Sequence, residues 1–363
     1  MTEPTPKPVP FLLSGDEKYR TTLPPESIDF QVRVGYPETP DRPTPSPCVL
    51  VLTRTEDREI DELSVWLASI NIPMLRLDSD RSPALPLVWD PIEGTVALGE
   101  TAFRPVVCWG RYFTVGSVPA VGPDPAGDAY MRDQWHAAAE SLAELVGAHV
   151  INPHAGTQDR LAQLAQARSA GLRTPATIVT NDLAAAPASI PGDGDLIVKS
   201  IGAHFVEPEP GELAGLIPRR VTRKELAGES DLEPAPAIVQ EYVPSDRELR
   251  VYAIGGELFS FGVRKPTLGS LWSDSESVEV EEISLPPALD ARLKELSERW
   301  HLDVAAFDFL DTPDGEVFLE VNTACSWVWS ERAAGKRPVT DALRALISRL
   351  FEERTGFAPP EGP

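Results

Sequence analysis

The feature that most restricts the fold of this chain is the alternating stretch at residues 304–322. Two runs of alternating apolar side chains flank Pro313-Asp314-Gly315, and this arrangement predicts a β-hairpin. With the loop centred on the proline, the pairing places Asp308 opposite Phe318 and diagonal to Glu320, at about 7 Å. The hairpin is therefore expected to carry polar side chains within two otherwise apolar strands.

Three polar side chains are expected on the same face of this hairpin. Side chains alternate faces along a strand, so Asp308, Glu320 and Asn322 project from one side. Hard cations such as Mg²⁺ bind carboxylate and amide oxygens, and this set can hold one or two ions against nucleotide phosphates. The alternative is a solvated hairpin face without a ligand. The trio predicts a Mg²⁺ site that needs support from other parts of the chain.

The net charge limits the partners that the chain is expected to bind, and the cysteine spacing indicates its compartment. Its 363 residues carry a formal net charge of −23, so nucleic acid and anionic membranes are not expected as partners, because both would repel most of this surface. Cys48, Cys108 and Cys325 follow no metal or disulfide spacing, as is typical of reduced thiols in a cytoplasmic protein. The sequence contains neither an apolar run of membrane-spanning length nor a signal-peptide pattern.

The order of strand and helix patterns predicts an α/β fold. The run 48–53 is apolar and β-branched, as in strands buried in a parallel sheet, and a helix at 57–70 and a strand at 74–77 follow it. Such alternation is typical of an α/β layer. Further strand patterns lie at 105–110, 175–180 and 237–243. Further helix patterns lie at 131–146, 157–170, 287–300 and 340–351. No dinucleotide fingerprint and no P-loop motif occurs.

Three basic residues stand where phosphate could be bound. Lys199 ends the predicted strand 196–199 and precedes a loop of small residues, a combination suited to phosphate oxygens. Arg250 is bracketed by apolar residues in a predicted hairpin, 248–263, so its side chain is a candidate to point into a site. Arg264, just past this hairpin, is a further candidate. The alternatives are a surface lysine before an ordinary turn and arginines in salt bridges at a sheet edge.

These features combine into a resemblance to the ATP-grasp superfamily, carried by Lys199, Gln240-Glu241-Tyr242-Val243, Glu248-Leu249-Arg250, Asp308 and Glu320-Val321-Asn322. Further motifs are similar, in matching order, to the ATP-grasp macrocyclases that cross-link ribosomal peptides, the maturases of microviridins and related graspetides: Val51-Leu52-Thr53-Arg54, Asp78-Ser79-Asp80-Arg81, Ile151-Asn152-Pro153 and Trp327-Val328-Trp329-Ser330-Glu331. The resemblance extends from about residue 48 to about residue 352. It implies an ATP-grasp fold of α+β subdomains, preceded by a pre-ATP-grasp α/β domain.

The resemblance also implies how the chain is divided. The expected segments are a leader-like segment at 1–47, the pre-ATP-grasp domain at 48–153, a central ATP-grasp subdomain at 154–240, a C-terminal subdomain with the Mg²⁺ site at 241–355, and a tail at 356–363. The first segment is rich in proline and cannot bury enough apolar area to fold alone. Its short motifs 10–13 and 19–22 look like the recognition part of a graspetide leader peptide, and the alternative is a disordered tail.

The resemblance implies ATP and Mg²⁺ as cofactors and gives roles to individual residues. Lys199 would hold ATP phosphates, and Arg250 would neutralise phosphate or an acyl phosphate; with Arg264 they form the candidate catalytic set. Asp308, Glu320 and Asn322 would ligate Mg²⁺.

The nucleotide itself would be met by a second set of residues. These are Arg160, Lys199, Gln240, Glu241, Tyr242, Val243 and Glu248, with the stretch from 240 to 243 at the adenine and Glu248 at the ribose. Arg160 is a departure from the family pattern, which usually has a lysine in this helix. Arginine keeps the charge but is bulkier, so nucleotide affinity is the property in question.

The implied activity is a ligation driven by ATP. A peptide Asp or Glu side chain becomes an acyl phosphate, and a Ser, Thr or Lys side chain of the same peptide attacks it to close an ester or amide ring. The implied partners are a ribosomal precursor peptide, the leader-like segment bound in cis, and further copies of the chain in a homo-oligomer. Two alternatives stay open: a ligase for free amino acids or small peptides, and a nucleotide-binding protein without catalysis.

Overall fold

The computed structural model describes residues 45–84, 86–99, 101–122, 124–145, 147–153, 160–202, 205–209, 212–215, 218–228, 235–266 and 277–358. The leader-like motifs at 10–13 and 19–22 lie outside the described residues. The last three positions of the leader-like segment, 45–47, are described. The start of the helix predicted at 157–170 and the end of the C-terminal tail also lie outside the described residues. Within the described ranges, three sheets follow one another along the chain, and a separate hairpin is inserted between two strands of the second sheet.

The first sheet is a mixed sheet with a parallel centre. Its strands are β1 (Ser46–Thr53), β2 (Met74–Asp78), β3 (Leu87–Asp90), β4 (Thr95–Leu98), β5 (Ala102–Gly110) and β6 (His149–Ile151). They lie in the order β2-β1-β5-β4-β3, with β6 also beside β5. The predicted parallel pairing is confirmed for β1 with β2 and β5, and for β5 with β6. The antiparallel strands β3 and β4 extend the sheet.

Two helices pack on this sheet, and each begins at an aspartate cap. They are α1 (Arg58–Ser69) and α2 (Pro125–Ala143). Helix α2 begins six residues before the predicted start at 131, because Asp124 accepts a hydrogen bond from the backbone N–H of Ala126 and Pro125 occupies the first helical position. Helix α1 buries Ile60, Leu63 and Leu67 in the core, as its spacing predicts.

The second sheet is antiparallel and has four strands. Its strands, β7 (Thr177–Thr180), β8 (Leu196–Lys199), β11 (Arg219–Val221) and β12 (Ala237–Glu241), lie in the order β11-β8-β12-β7. The helices in this part are α3 (Arg160–Ser169), α4 (Ala186–Ser189) and α5 (Arg223–Ala227). Strands β9 (Phe205–Glu209) and β10 (Glu212–Gly215) form a separate hairpin. Gly171, with φ of 80°, ends α3 as predicted, because the backbone turns into the left-handed region there.

The third sheet holds both predicted hairpins. Its strands, β13 (Arg247–Ile254), β14 (Glu257–Arg264), β15 (Glu279–Glu282), β16 (Val304–Thr312) and β17 (Gly315–Asn322), lie in the order β15-β14-β13-β16-β17. The glycines 255 and 256 have positive φ angles, which the tight turn between β13 and β14 requires. The described residues of this part also form α6 (Pro287–Arg299), between β15 and β16, and then α7 (Val328–Ala334) and α8 (Pro338–Thr355) after β17.

One apolar core joins the first and third sheets. It contains Val49 of β1, Leu67 of α1, Phe261 of β14 and Leu343 and Ile347 of α8. Helix α8 therefore lies between the two sheets and fixes their relative position. Helix α6 packs on the opposite side of the third sheet, in a separate core with Phe307 and Phe309.

Cys48, Cys108 and Cys325 are buried free thiols. Within the described parts of the chain, no helix is both long enough and apolar enough to span a bilayer. No structural finding tests the predicted segment boundaries, so these remain predictions.

Candidate active site

A cleft of about 310 Å³ lies between the second and third sheets. Ten of the twelve predicted site residues line it: Lys199, Gln240, Glu241, Tyr242, Val243, Glu248, Arg250, Asp308, Glu320 and Asn322. Strands β8 and β12 supply the first five of these, with the chain just after β12, and β13, β16 and β17 supply the others. The structure therefore gathers residues that are more than 120 positions apart in the sequence.

The pairing of β16 with β17 differs from the predicted register. The turn is tighter than a loop centred on the proline, because Thr312 already pairs with Gly315. A β-bulge then shifts the register between Asp308 and Phe309, so that Asp308 lies directly opposite Glu320 instead of diagonal to it. In the observed register the two carboxylates lie closer together than predicted, since directly opposed residues on one face are the nearest cross-strand neighbours.

Asn322 holds the two carboxylates in the expected trio. Its Nδ2 donates to Oδ2 of Asp308 at 2.9 Å and to Oε1 of Glu320 at 3.1 Å. Burial raises the pKa of Asp308, and the neighbouring charge of Glu320 raises it further, while Arg250 acts in the opposite direction. Two opposed carboxylates in a partly buried position create a strong demand for positive charge.

The trio fits a magnesium ion that is shared with phosphate oxygens. The described residues contain no group of three or more His, Cys, Asp and Glu side chains able to hold a metal by themselves. Mg²⁺ commonly takes only one or two carboxylates from the protein and completes its shell with substrate phosphates and water. Asp308 and Glu320 would supply those carboxylates, and the amide oxygen of Asn322 would be a third oxygen donor.

Two arginines already neutralise part of this negative charge. Nη1 of Arg250 lies 2.7 Å from both carboxylate oxygens of Asp308. Nε of Arg160 lies 3.1 Å from Oε2 of Glu320, and its Nη1 donates to the carbonyl of Gly202 at 2.6 Å. Arg160 does not line the cleft; it joins the carboxylate of Glu320 to the loop that follows β8. Burial acts to lower the pKa of the Arg250 guanidinium, but the charge and hydrogen bonds of Asp308, together with Tyr252, outweigh it, and the pKa is raised.

Lys199 is the most enclosed cation of the cleft. It ends β8 and is only 8% exposed. Burial lowers the pKa of its ammonium group and outweighs the opposing influence of Glu320. A cation that is held with little water around it interacts strongly with any phosphate placed beside it.

The stretch from Gln240 to Val243 forms one end of the cleft. The backbone N–H of Glu241 donates to the carbonyl of Ala176, and that of Tyr242 donates to the carbonyl of Asp195, at 2.8 and 3.0 Å. Nε2 of Gln240 donates to Oγ1 of Thr177 at 2.8 Å. Both of these backbone N–H groups are therefore occupied by neighbouring backbone carbonyls.

Arg264 is placed away from the cleft. Successive side chains alternate faces along β14, and Val263 lines the cleft while Arg264 does not. The guanidinium of Arg264 is about half exposed and lies 4.0 Å from the carboxylate of Glu281. This position matches the salt bridge that was weighed as the alternative, and it gives no support to a catalytic role.

Comparisons with known proteins give matches in structure and none in sequence. No family model matches the chain, and no curated protein matches it by sequence. The macrocyclase MdnC from Microcystis aeruginosa MRC, solved with the precursor peptide MdnA, is similar with a TM-score of 0.67, at 22% identity over 83% of this chain and 99% of that chain.

Two further solved structures are similar to this chain. A RiPP-associated ATP-grasp ligase from Chryseobacterium gregarium, solved with ADP and a leader and core peptide, has a TM-score of 0.68, at 18% identity over 84% of this chain and 97% of that chain. D-alanyl-alanine synthetase A from Vibrio cholerae has a TM-score of 0.56, at 14% identity over 85% of this chain and 99% of that chain. The chain has an ATP-grasp fold. The expected α/β class and ATP-grasp architecture are thereby confirmed.

Lys265 is a residue of the ATP-grasp cleft that the sequence analysis missed. Its Nζ lies 2.6 Å from Oε2 of Glu248, and both side chains line the cleft. The sequence held a signal for it, because the two-glycine turn fixes the register of β13 and β14 and pairs Glu248 with Val263. Lys265 stands two residues beyond Val263, so it falls on the same face as Glu248 and Arg250.

The apolar walls of the ATP-grasp cleft were also not predicted. They include Ile197, Val263, Leu310 and Leu319, and Trp329 stands at the edge of α7. Leu319 is the bulged residue of β17, so its side chain could not be assigned to this face by simple alternation. An apolar lining of this kind suits a base, and the cations suit the phosphates.

Proposed function

We propose that this protein is an ATP-dependent, ADP-forming ligase that activates Asp or Glu side chains of a ribosomal precursor peptide and closes ester or amide rings with Ser, Thr or Lys. The observation that carries the proposal is the cleft in which Lys199 and Arg250 lie beside Asp308, Glu320 and Asn322. The peptide class rests on the similarity to MdnC and to the Chryseobacterium ligase, both of which were solved with precursor peptides.

The residues of the cleft have distinct parts in this reaction. The peptide carboxylate attacks the γ-phosphorus of ATP, ADP leaves, and the acyl phosphate that forms is an activated carboxyl group. Lys199 and Arg250 offset the negative charge of the phosphoryl oxygens during the transfer. Asp308, Glu320 and Asn322 would hold Mg²⁺, which would supply the remaining positive charge when bound.

Ring closure follows in the same cleft. A hydroxyl or amine of the same peptide attacks the acyl carbon, the C–O bond to phosphate breaks, and the nucleophile loses its proton. Because both reacting groups belong to one bound peptide, positioning supplies most of the rate gain.

A ligase for free amino acids is the second candidate function. It is favoured by the similarity to D-alanyl-alanine synthetase A, which covers as much of this chain as the peptide-bound structures do. A nucleotide-binding protein without catalysis is less compatible with the cleft, because such a protein has no need for two opposed carboxylates beside a buried lysine and an arginine.

ADP formation separates these functions. With ATP and Mg²⁺, we expect ADP release to depend on a precursor peptide and to be absent with mixtures of free amino acids. Release with amino acids alone would favour the second candidate. A protein that binds ATP but releases no ADP with either would contradict both ligase functions. The Glu320 variant described in the Discussion serves as the control for contaminating ATPases.

We also propose that residues 1–47 act as a leader bound in cis. Support comes from their leader-like motifs and from the leader peptide bound to the Chryseobacterium ligase. A tethered segment occupies its groove at millimolar effective concentration, so a weak peptide would still be bound most of the time. Deleting residues 1–44, which stops before β1, should therefore sharply lower cyclisation of a core peptide without its own leader. Addition of the deleted segment as a free peptide should restore it; equal rates with and without the segment would contradict the proposal.

A homo-oligomer and a cytoplasmic location complete the proposal. Val88 and Ile92, at 63% and 89% exposure on and after the strand β3, offer apolar surface for a second copy. The three buried free thiols agree with a reducing compartment. Light scattering on the purified protein tests the oligomer directly, and a monomeric mass at micromolar concentration would contradict it.

A further inference from the structure

Glu59 is a buried carboxylate outside the cleft, and it accepts hydrogen bonds from a segment next to the cleft. It lies on α1, under the first sheet, and is 8% exposed. Its Oε1 accepts from the Ser326 hydroxyl at 2.8 Å, from the backbone N–H of Trp327 at 2.7 Å and from that of Val328 at 2.9 Å. Its Oε2 pairs with the guanidinium of Arg111.

One peptide group connects Glu59 with the candidate catalytic arginine. The N–H of Trp327 and the C=O of Ser326 belong to the same planar peptide unit. While its N–H points to Glu59, the Ser326 carbonyl accepts from the Tyr252 hydroxyl at 2.8 Å and lies 3.5 Å from Nη2 of Arg250. Because the unit is planar, an anchor at the N–H end also fixes the direction of the carbonyl.

Few other contacts hold the guanidinium of Arg250. Its Nη1 pairs with Asp308, and its plane lies near the Tyr252 ring, with 5.3 Å between the guanidinium carbon and the ring centroid. Its buried Nε has no hydrogen-bond partner among the described residues. The Ser326 carbonyl is therefore one of the contacts of Arg250 on the side away from Asp308, together with Tyr252, which donates to the same carbonyl.

We propose that Glu59, supported by Arg111, is a positioning residue that acts through the Ser326–Trp327 peptide group to orient Arg250 and Tyr252. This inference rests on the proposed function for its kinetic consequence. The first sheet would then contribute to phosphoryl transfer without contacting ATP or peptide. A buried ion pair gives little net stability, so its presence at this place agrees with a role in geometry.

The test compares Glu59→Gln with a matched control on the same helix. Glu62, one turn further along α1, pairs with Arg337 at 2.7 Å and also joins α1 to the C-terminal part of the chain. Glu62→Gln removes a contact between the same two parts but does not touch the peptide group. For peptide-dependent ADP formation we expect Glu59→Gln to lower kcat by roughly 10- to 100-fold, with KM for ATP within about twofold, and Glu62→Gln to change neither.

A double-mutant cycle distinguishes positioning from general loosening. Tyr252→Phe removes the hydroxyl that contacts the same carbonyl, and alone it should lower kcat about fivefold. If both residues act through one peptide group, the double variant should be no slower than Glu59→Gln alone, whereas independent lesions would multiply. Multiplicative effects, or a wild-type kcat in Glu59→Gln, would overturn the inference. Should Glu59→Gln fail to fold, a wild-type kcat in Tyr252→Phe would overturn it.

A crystal structure of nucleotide-free Glu59→Gln supplies a readout that needs no turnover. We expect the Ser326 carbonyl to have rotated away from the Tyr252 hydroxyl. An unchanged peptide orientation would overturn the inference even if activity were lost. If the wild-type protein releases no ADP, the proposed function fails, and this structure still decides whether Glu59 orients the peptide group.

Discussion

Replacement of Glu320 by glutamine is expected to abolish ATP turnover, by a factor of about 10³ or more, while the folded structure is retained. The carboxylate lies directly opposite Asp308 and accepts from Asn322 at 3.1 Å, at the point where the proposed Mg²⁺ meets the phosphates. Glutamine keeps the shape but removes the charge that the cation needs. The side chain lies at the cleft and not in the apolar core, so its replacement should change thermal stability little.

Glu316 provides the matched control on the same strand. It lies four residues before Glu320, opposite Asp311, and does not line the cleft. Glu316→Gln makes the same chemical change and should leave ADP formation within about twofold of wild type. Steady-state ADP release and thermal unfolding, measured on both variants, give the comparison. Normal turnover in Glu320→Gln would exclude the metal-site assignment.

Replacement of Lys199 by methionine is expected to lower turnover by about 10²- to 10³-fold and to leave the nucleotide-free protein as stable as wild type or more stable. Burial lowers the pKa of Lys199, which means that its charged form is less favourable in the folded protein than in the unfolded chain. Methionine has a similar length and no charge, so it removes this penalty. The charge would thus serve phosphate binding at the expense of stability.

The unfolding temperature measured without nucleotide tests the expected effect on stability. The ATP affinity tests the expected loss of phosphate binding. Lys224→Met, at an exposed position on α5, is the control for loss of a lysine elsewhere in the central part of the chain. We expect weaker ATP binding only in Lys199→Met. A clear fall in the unfolding temperature of Lys199→Met, with ATP binding unchanged, would contradict the role given to this residue.

The sequence was a good guide wherever the pattern was local. Hairpins with glycine or proline turns, and helices such as α1 with apolar residues at helical spacing, lie where they were predicted. The register of β16 and β17 was wrong because the turn is tighter than a loop centred on the proline and because a bulge then adds one unpaired residue. Alternation of side chains cannot reveal where that extra residue lies. The early start of α2 had a signal in Asp124-Pro125 that was overlooked.

The candidate site was predictable to the extent that its residues lie on regular strands. Strand periodicity places these side chains on the sides of the strands that face the cleft. This holds for Lys199, for Arg250 and for the trio Asp308, Glu320 and Asn322. Arg264 shows the limit, since one step along β14 turns a side chain away. The contacts of Glu59 had no signal at all, because they depend on how α1 packs against a segment more than 260 residues later.

Trapping of the activated carboxyl is the most direct test of the central claim. The protein is incubated with ATP, Mg²⁺ and candidate precursor peptides, with and without hydroxylamine, and the products are analysed by mass spectrometry. Without hydroxylamine, we predict peptides that have lost one water per ring. With hydroxylamine, we predict hydroxamates at Asp or Glu side chains. In both cases ATP should be converted to ADP and phosphate. Formation of AMP and pyrophosphate, or of rings without any hydroxamate, would contradict activation through an acyl phosphate.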